Sequence, residues 1–177
     1  MTEQQQNANR GRDLVSATCD EFRRRGGAAH RQFGVLLEVE QINRLVQALA
    51  QPHLAASGLT YAGWQALMAL AYSKHKALPM AKLAARVSSH PTTMTRTIDR
   101  LIRFGYVRRV QLDNDRRVSV VEILPAGEHA RAAVLQSLDR LQFGFEGIPE
   151  GRLECLEELL RQARVTLAAG IDNARAP

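Results

Sequence analysis

The stretch MAKLAARVSSHPTTMTRTIDRLIRFGYVRR, residues 80–109, constrains the fold more than any other part of the chain. Pro79 opens a short helix from Met80 to Val87, on which Leu83, Ala84 and Val87 are the apolar positions. Ser88-Ser89-His90 reads as a turn. Pro91 then stands where the first residue of a helix tolerates proline, because its missing N–H would have no intrahelical partner. The second helix runs from Pro91 to about Phe104 and meets Gly105, a residue suited to the left-handed conformation that ends helices. Two short helices around a tight turn form a helix-turn-helix. At Tyr106 the period changes. YVRRVQL and RRVSVVEIL alternate or run β-branched, as strands do, and Asp113-Asn114-Asp115 between them has turn composition. The expectation is a β-hairpin with a charged tip, a wing.

Helices flank this unit on both sides. From about Gln32 to Ala50, Phe33, Leu36, Val39, Ile42, Leu45/Val46 and Leu49 recur in steps of three and four, which marks an amphipathic helix. Pro52 and Gly58 mark a loop beyond it. Thr60 suits the N-cap of the next helix, TYAGWQALMALAYSKH, where Trp64, Leu67, Met68 and Ala71 share a face and Lys74, His75 and Lys76 sit at the negative pole. After the wing, Pro125 starts a long helix to about Phe143, broken by Gly144, Gly147 and Pro149. A last helix carries Leu153, Leu156, Leu159/Leu160, Ala163 and Leu167. The fold class is mainly α with a small β-hairpin wing: a winged helix-turn-helix plus a helical dimerisation region. Residues 1–29 form an extension, polar and disordered over 1–11, with a short helix from Arg12 to Arg25. Residues 59–124 are the winged unit, 30–58 and 125–170 the helical region, and 171–177 a tail. Apolar stripes at both ends exceed what the winged unit needs to cover itself, so a two-fold homodimer is expected, with an all-intramolecular core as the competing reading.

Charge distribution says more than its total of +6. Between Lys74 and Arg117 stand eleven basic residues against three acidic ones, a net of +8, while the rest of the chain nets −2. A basic segment between near-neutral ones is the footprint of a polyanion partner, although a solvated basic face has the same composition. Cys19 and Cys155 form no CxxC pair and suggest neither a disulfide framework nor zinc. His30, His53, His75, His90 and His129 show no ligand spacing, so neither metal nor cofactor is expected. Signatures such as GxSxG, a P-loop, GxGxxG or HExxH do not occur, which leaves no support for an enzyme. No apolar run approaches a membrane span, and MTEQQQNANRGR lacks the apolar core of a signal peptide, so the cytoplasm is the expected compartment.

Three segments carry a family resemblance. LAARVSSHPTTMTRTIDRLIRFGYVRR, Asp115-Arg116-Arg117 followed by Leu124-Pro125-Ala126-Gly127, and GIPEGRLECLEELLRQ together resemble the MarR (multiple antibiotic resistance regulator) family over roughly residues 30–170. His90 departs from the family, which often has a capping serine there, and the N-terminal extension is long. The resemblance implies a dimeric, nucleoid-associated transcriptional regulator on a palindromic operator in double-stranded DNA. It also implies control by a small, often aromatic, acid or by a redox cysteine; Cys19 lies upstream of where that cysteine would be. Repression by promoter occlusion is the leading expectation, and a low-specificity architectural DNA binder is the alternative.

The periodicity of the second helix assigns roles to its residues. With about 3.6 residues per turn, Met94, Ile98 and Leu101 face the core, Thr92, Arg96 and Arg103 point away, and Thr93 and Arg100 lie on the flanks. Base reading falls to the first turns of such a helix, hence to Thr92, Thr93 and Arg96. Ser89, Thr95 and the N-terminal amides suit phosphate. Arg100 and Arg103 read equally well as DNA contacts or as surface arginines in salt bridges. At the wing, Asp115 can fix one of Arg116 and Arg117 and leave the other for a narrow minor groove, a role the resemblance implies without choosing between them. Lys74, Lys76 and Lys82 contact phosphates or nothing. Tyr61, Trp64, Tyr72 and His53 are the candidates to line a ligand cleft, with core packing the favoured reading of the same residues.

Overall fold

The computed structural model describes the backbone of residues 15–112 and 115–175, with side chains over 15–111 and 119–173. The chain divides into two units, residues 1–140 and 141–177. In the first, helix α1 (15–24) leads into α2 (His30–Ala56), α3 (Tyr61–Ala71), strand β1 (Ala77–Pro79), α4 (Met80–Arg86), α5 (Pro91–Arg103), β2 (Val107–Leu112), β3 (Asp115–Ile123) and α6 (Pro125–Arg140). The second unit holds a 3-10 turn at Gln142–Gly144 and α7 (Glu150–Arg175). The mainly α architecture with a small antiparallel sheet is the one the periodicities imply.

Four local features differ from the sequence reading. Helix α2 passes through Pro52 and ends at Ala56, where a loop was expected. Proline inside a helix costs about 3 kcal/mol, but Ala50 and Leu54 on either side of it are fully buried, and Pro52 itself is exposed. Core packing on both sides holds the helix together. Helix α3 stops at Ala71, because the backbone turns at Lys76 into a left-handed conformation (φ 53°) and enters a third strand, β1. This strand pairs with β3, giving the order β1-β3-β2, with Leu78 opposite Val121 and Val110 opposite Val120. Helix α6 ends at Arg140, three residues early, where the backbone takes positive φ at Gln142 and Phe143.

One core joins α2 to α6. Leu54, Leu67, Leu70, Leu83, Met94, Ile98, Leu101, Val107, Val121 and Val134 are its most deeply buried side chains. Helix α3 is the centre of this core and touches α2, α4, α5, α6 and the sheet. Its entry is capped as expected, the Thr60 hydroxyl accepting from Gly63 N–H at 3.1 Å. The α5 exit also matches: Gly105 has φ +68°, and Tyr106 N–H donates to Leu101 O.

An ion pair joins the sheet to α6. Lys76 Nζ lies 2.7 Å from Glu128 Oε1, while the Lys76 carbonyl accepts from Ile123 N–H. The hydrogen bond from Lys76 leads the causes that hold the Glu128 carboxyl below the usual carboxylate range. A depressed carboxylate contributes stability above its unfolded value of about 4.3 and loses it as pH falls through its folded value. Lys76→Gln is therefore expected to be less stable at neutral pH, by no more than about 1 kcal/mol for so exposed a pair. The difference from the native chain should close on acidification below about pH 4. Urea unfolding at a series of pH values measures this; a deficit that persists in acid would assign it to something other than the ion pair.

Candidate nucleic-acid interface

The turn between α4 and α5 is built from local hydrogen bonds. Ser88 adopts φ 52°, and Ser89 N–H returns to Ala84 O. His90 is the extended N-cap: its Nδ1 accepts from Thr92 N–H at 3.3 Å, the job a capping serine would do. An imidazole in the serine position thus keeps the cap, a substitution whose consequence the sequence did not reveal.

Helix α5 separates its faces sharply. Met94, Ile98 and Leu101 are buried, whereas Thr92, Thr93, Thr95, Arg96, Arg100 and Arg103 are exposed. Thr95 and Thr97 donate their hydroxyl protons to Pro91 O and Thr93 O, each at 3.0 Å, which leaves the hydroxyl oxygens as acceptors only. Thr95 is less suited to donate to a phosphate in that rotamer. Asp99 lies on the outer side of the helix, and Arg109 from β2 pairs with it at 2.8 Å. Neutralising that carboxylate removes a negative charge that would repel a polyanion from this face.

Partners divide the basic segment into two sets. Lys76, Arg108 and Arg109 are held by Glu128, Glu122 and Asp99. The pairing with Glu122 pushes the Arg108 guanidinium pKa up, through the hydrogen bond first. Arg100 donates to a backbone carbonyl, Gly58 O, at 3.1 Å. Lys74, Lys82, Arg86, Arg96 and Arg103 have no ion-pair partner among the described residues and are exposed. Ser89 is half-buried, its hydroxyl near His90 O at 3.4 Å. At the wing, Asp115, Arg116 and Arg117 belong to β3 by backbone, but their side chains lie outside the described residues, as do Asp113 and Asn114 altogether.

A groove of about 520 Å³ runs between α3 and the end of α4, lined by Tyr61, Trp64, Met68, Tyr72, Arg86 and Ser88 among others. Three of the four expected cleft residues meet here; His53 does not. Trp64 is mostly core, 8% exposed, and its indole N–H has no protein acceptor. Tyr72 is open to solvent with the Arg131 guanidinium 5.4 Å from its ring centre, and burial raises the Tyr61 pKa. Among the described residues, no three His, Cys, Asp or Glu side chains converge as a metal requires, and no helix is long and apolar enough to cross a membrane.

Apolar faces are left open in both units. On α2, Val35, Leu36, Val39, Ile42 and Leu45 are exposed, continuing toward the N-terminus the stripe that Ala50 and Leu54 bury in the core. On α7, Leu159, Leu160, Val165, Leu167 and Ile171 are exposed. Helix α1 covers a different side of α2, through Phe22 against Phe33 (4.7 Å between rings).

A helix-turn-helix (α4–α5) set between strand β1 and the β2–β3 hairpin of one three-stranded sheet defines the winged helix class. Residues 59–119 match the MarR family model; proteins of this family are transcriptional regulators, not enzymes. Among solved structures, Sco5413, a MarR family transcriptional regulator from Streptomyces coelicolor, is 25% identical with a TM-score of 0.70, over 78% of this chain and 96% of that one. Sco3205, a MarR family transcriptional regulator from the same organism solved in complex with DNA, is 20% identical (TM-score 0.65; 73% of this chain, 83% of that one). A mutant MarR from E. coli complexed with operator DNA is 19% identical (TM-score 0.66; 77% and 97%). Comparison with curated proteins gives no match.

Proposed function

We propose that this chain is a sequence-specific, dimeric DNA-binding repressor that inserts α5 into the major groove of a palindromic operator in the cytoplasm. The observation that carries the reading is the outer face of α5, where Arg96 and Arg103 stand exposed without an ion-pair partner among the described residues and Asp99 is neutralised by Arg109. In this reading Thr92, Thr93 and Arg96 read base edges, while Arg103, Lys82, Arg86 and the Ser89 region meet phosphates. Two such helices must reach successive major grooves about 34–36 Å apart, which calls for a two-fold pair of chains. The open apolar faces of α2 and α7 are the surfaces such a pair would cover. The α3–α4 groove, with aromatic walls and Arg86 at its edge, suits a small aromatic acid whose binding shifts the α4–α5 turn.

Footprinting and titration on the DNA upstream of the gene test the proposal. The expected result is a protected inverted repeat, bound at least about 10³-fold more tightly than random duplex. Equal affinity for all duplexes would replace it with the architectural reading. Removing both wing cations, with Arg116→Ala and Arg117→Ala together, should lower affinity and flatten the dependence of log K on log salt by about 0.9 for each lost phosphate contact. An unaltered slope would take the wing out of the interface.

A further inference from the structure

We propose that Arg100, Phe104 and Tyr106 form a latch that sets the angle of α5 relative to the end of α2, and that Arg100 is a positioning residue. Three contacts converge on the bend after α2. Arg100 donates to Gly58 O at 3.1 Å across 42 residues of sequence, and the Tyr106 hydroxyl donates to Ser57 O at 2.9 Å across 49. The Phe104 ring covers Gly58 so closely that a Cβ there would stand 2.9 Å from the ring, and Gly58 itself has φ +62°. The three side chains also bind each other: the guanidinium lies 5.7 Å from the Phe104 centroid, and the Phe104 and Tyr106 rings stack at 5.6 Å and 17°.

The chemistry explains why these groups meet. Carbonyls at the C-terminal end of a helix have no intrahelical donor and lie at its negative pole, so they attract a cation and a hydroxyl. The Ser57 and Gly58 carbonyls sit just past α2, and Leu59 N–H closes the turn on Leu54 O. Every donor of the latch comes from the exit of α5 or the residue opening the hairpin. Any rotation of α2 is then transmitted to the recognition helix through two hydrogen bonds and an aromatic contact. A guanidinium held in this way is not aimed at a phosphate. Combined with the dimer proposed above, on which this consequence rests, the latch fixes the separation of the two recognition helices and hence the half-site spacing.

The test uses the full chain with Arg100→Met and Tyr106→Phe, the second of which changes no charge. In the free protein, amide hydrogen exchange over residues 55–60 and the last turn of α5 should accelerate by about tenfold or more in both variants, with β1–β3 unchanged. Selection from operators with randomised spacers, at a temperature where circular dichroism shows both variants folded, should yield a broader range of half-site spacings than for the native chain. The salt slope should stay the same. Native exchange in both variants would overturn the latch. So would a slope lower by about 1.8 (about 0.9 for the contact in each half-site) in Arg100→Met while Tyr106→Phe keeps native spacing, since that pattern assigns Arg100 to a phosphate. If the native chain binds no operator, the regulator reading fails and the exchange measurement alone decides the latch.

Discussion

Gly127→Ala is expected to destabilise the protein by about 3 kcal/mol, which lowers the unfolding midpoint by roughly 6–12 °C in a chain of this size. The reason is a close approach between two stretches of backbone. A Cβ on Gly127 would stand 2.2 Å from Tyr106 O and 3.1 Å from Ile123 Cγ1. Tyr106 O is already committed, since it accepts from Leu124 N–H at 2.9 Å and so fixes the start of α6 against the start of the hairpin. Neither side can swing aside as a flexible side chain would; α6 must lift away, and Val134 and Leu138 lose packing with it. Gly170→Ala is the control. That glycine lies within α7 with nothing within 4 Å of its Cβ position, so the change should stabilise by roughly 0.5–1 kcal/mol through helix propensity. Thermal unfolding of the two variants side by side measures the contrast. Equal effects would show that the Leu124–Gly127 corner has no special packing demand.

The same corner shows what sequence reading can and cannot reach. Leu124-Pro125-Ala126-Gly127 is visible as a strand end running into a helix start, because proline and the change of period are local signals. The reason for glycine at position 127 is a contact with Tyr106, which no local pattern encodes. Likewise the apolar spacing of α5 gave its buried face, Met94, Ile98 and Leu101, since a period of about 3.6 residues maps directly onto direction. Its partners were hidden. Arg100 reads in sequence as one more basic residue of a positive segment, yet its acceptor is a carbonyl 42 residues away. Pro52 misled for a related reason: proline's local cost is legible, but the burial of Ala50 and Leu54 that offsets it is tertiary. Strand β1 is three residues long and contains a proline, too short to show an alternation. Only its pairing with β3 makes it a strand.

The largest effect on binding is expected from Arg96→Ala. Arg96 is exposed and has no ion-pair partner among the described residues, so its loss should change folding stability by no more than about 0.5 kcal/mol. It points outward from the second turn of α5, beside Thr92 and opposite Met94, where a side chain of its length reaches base edges if the helix enters a major groove. A bidentate bond to guanine O6 and N7 carries about 1–3 kcal/mol of discrimination. A two-fold complex loses the contact in both half-sites, so affinity for the operator should fall by roughly 30-fold to 10⁴-fold. Non-specific binding should weaken far less. Arg96→Lys keeps the charge but not the fork, and should recover phosphate-like affinity without the base preference. Affinity measured against operators substituted one base pair at a time separates the cases. Relaxed preference at a single symmetric position is the expected result. A uniform loss over all sequences would move Arg96 onto the backbone of the duplex, and unchanged binding would mean that this face of α5 is not what the protein presents to DNA.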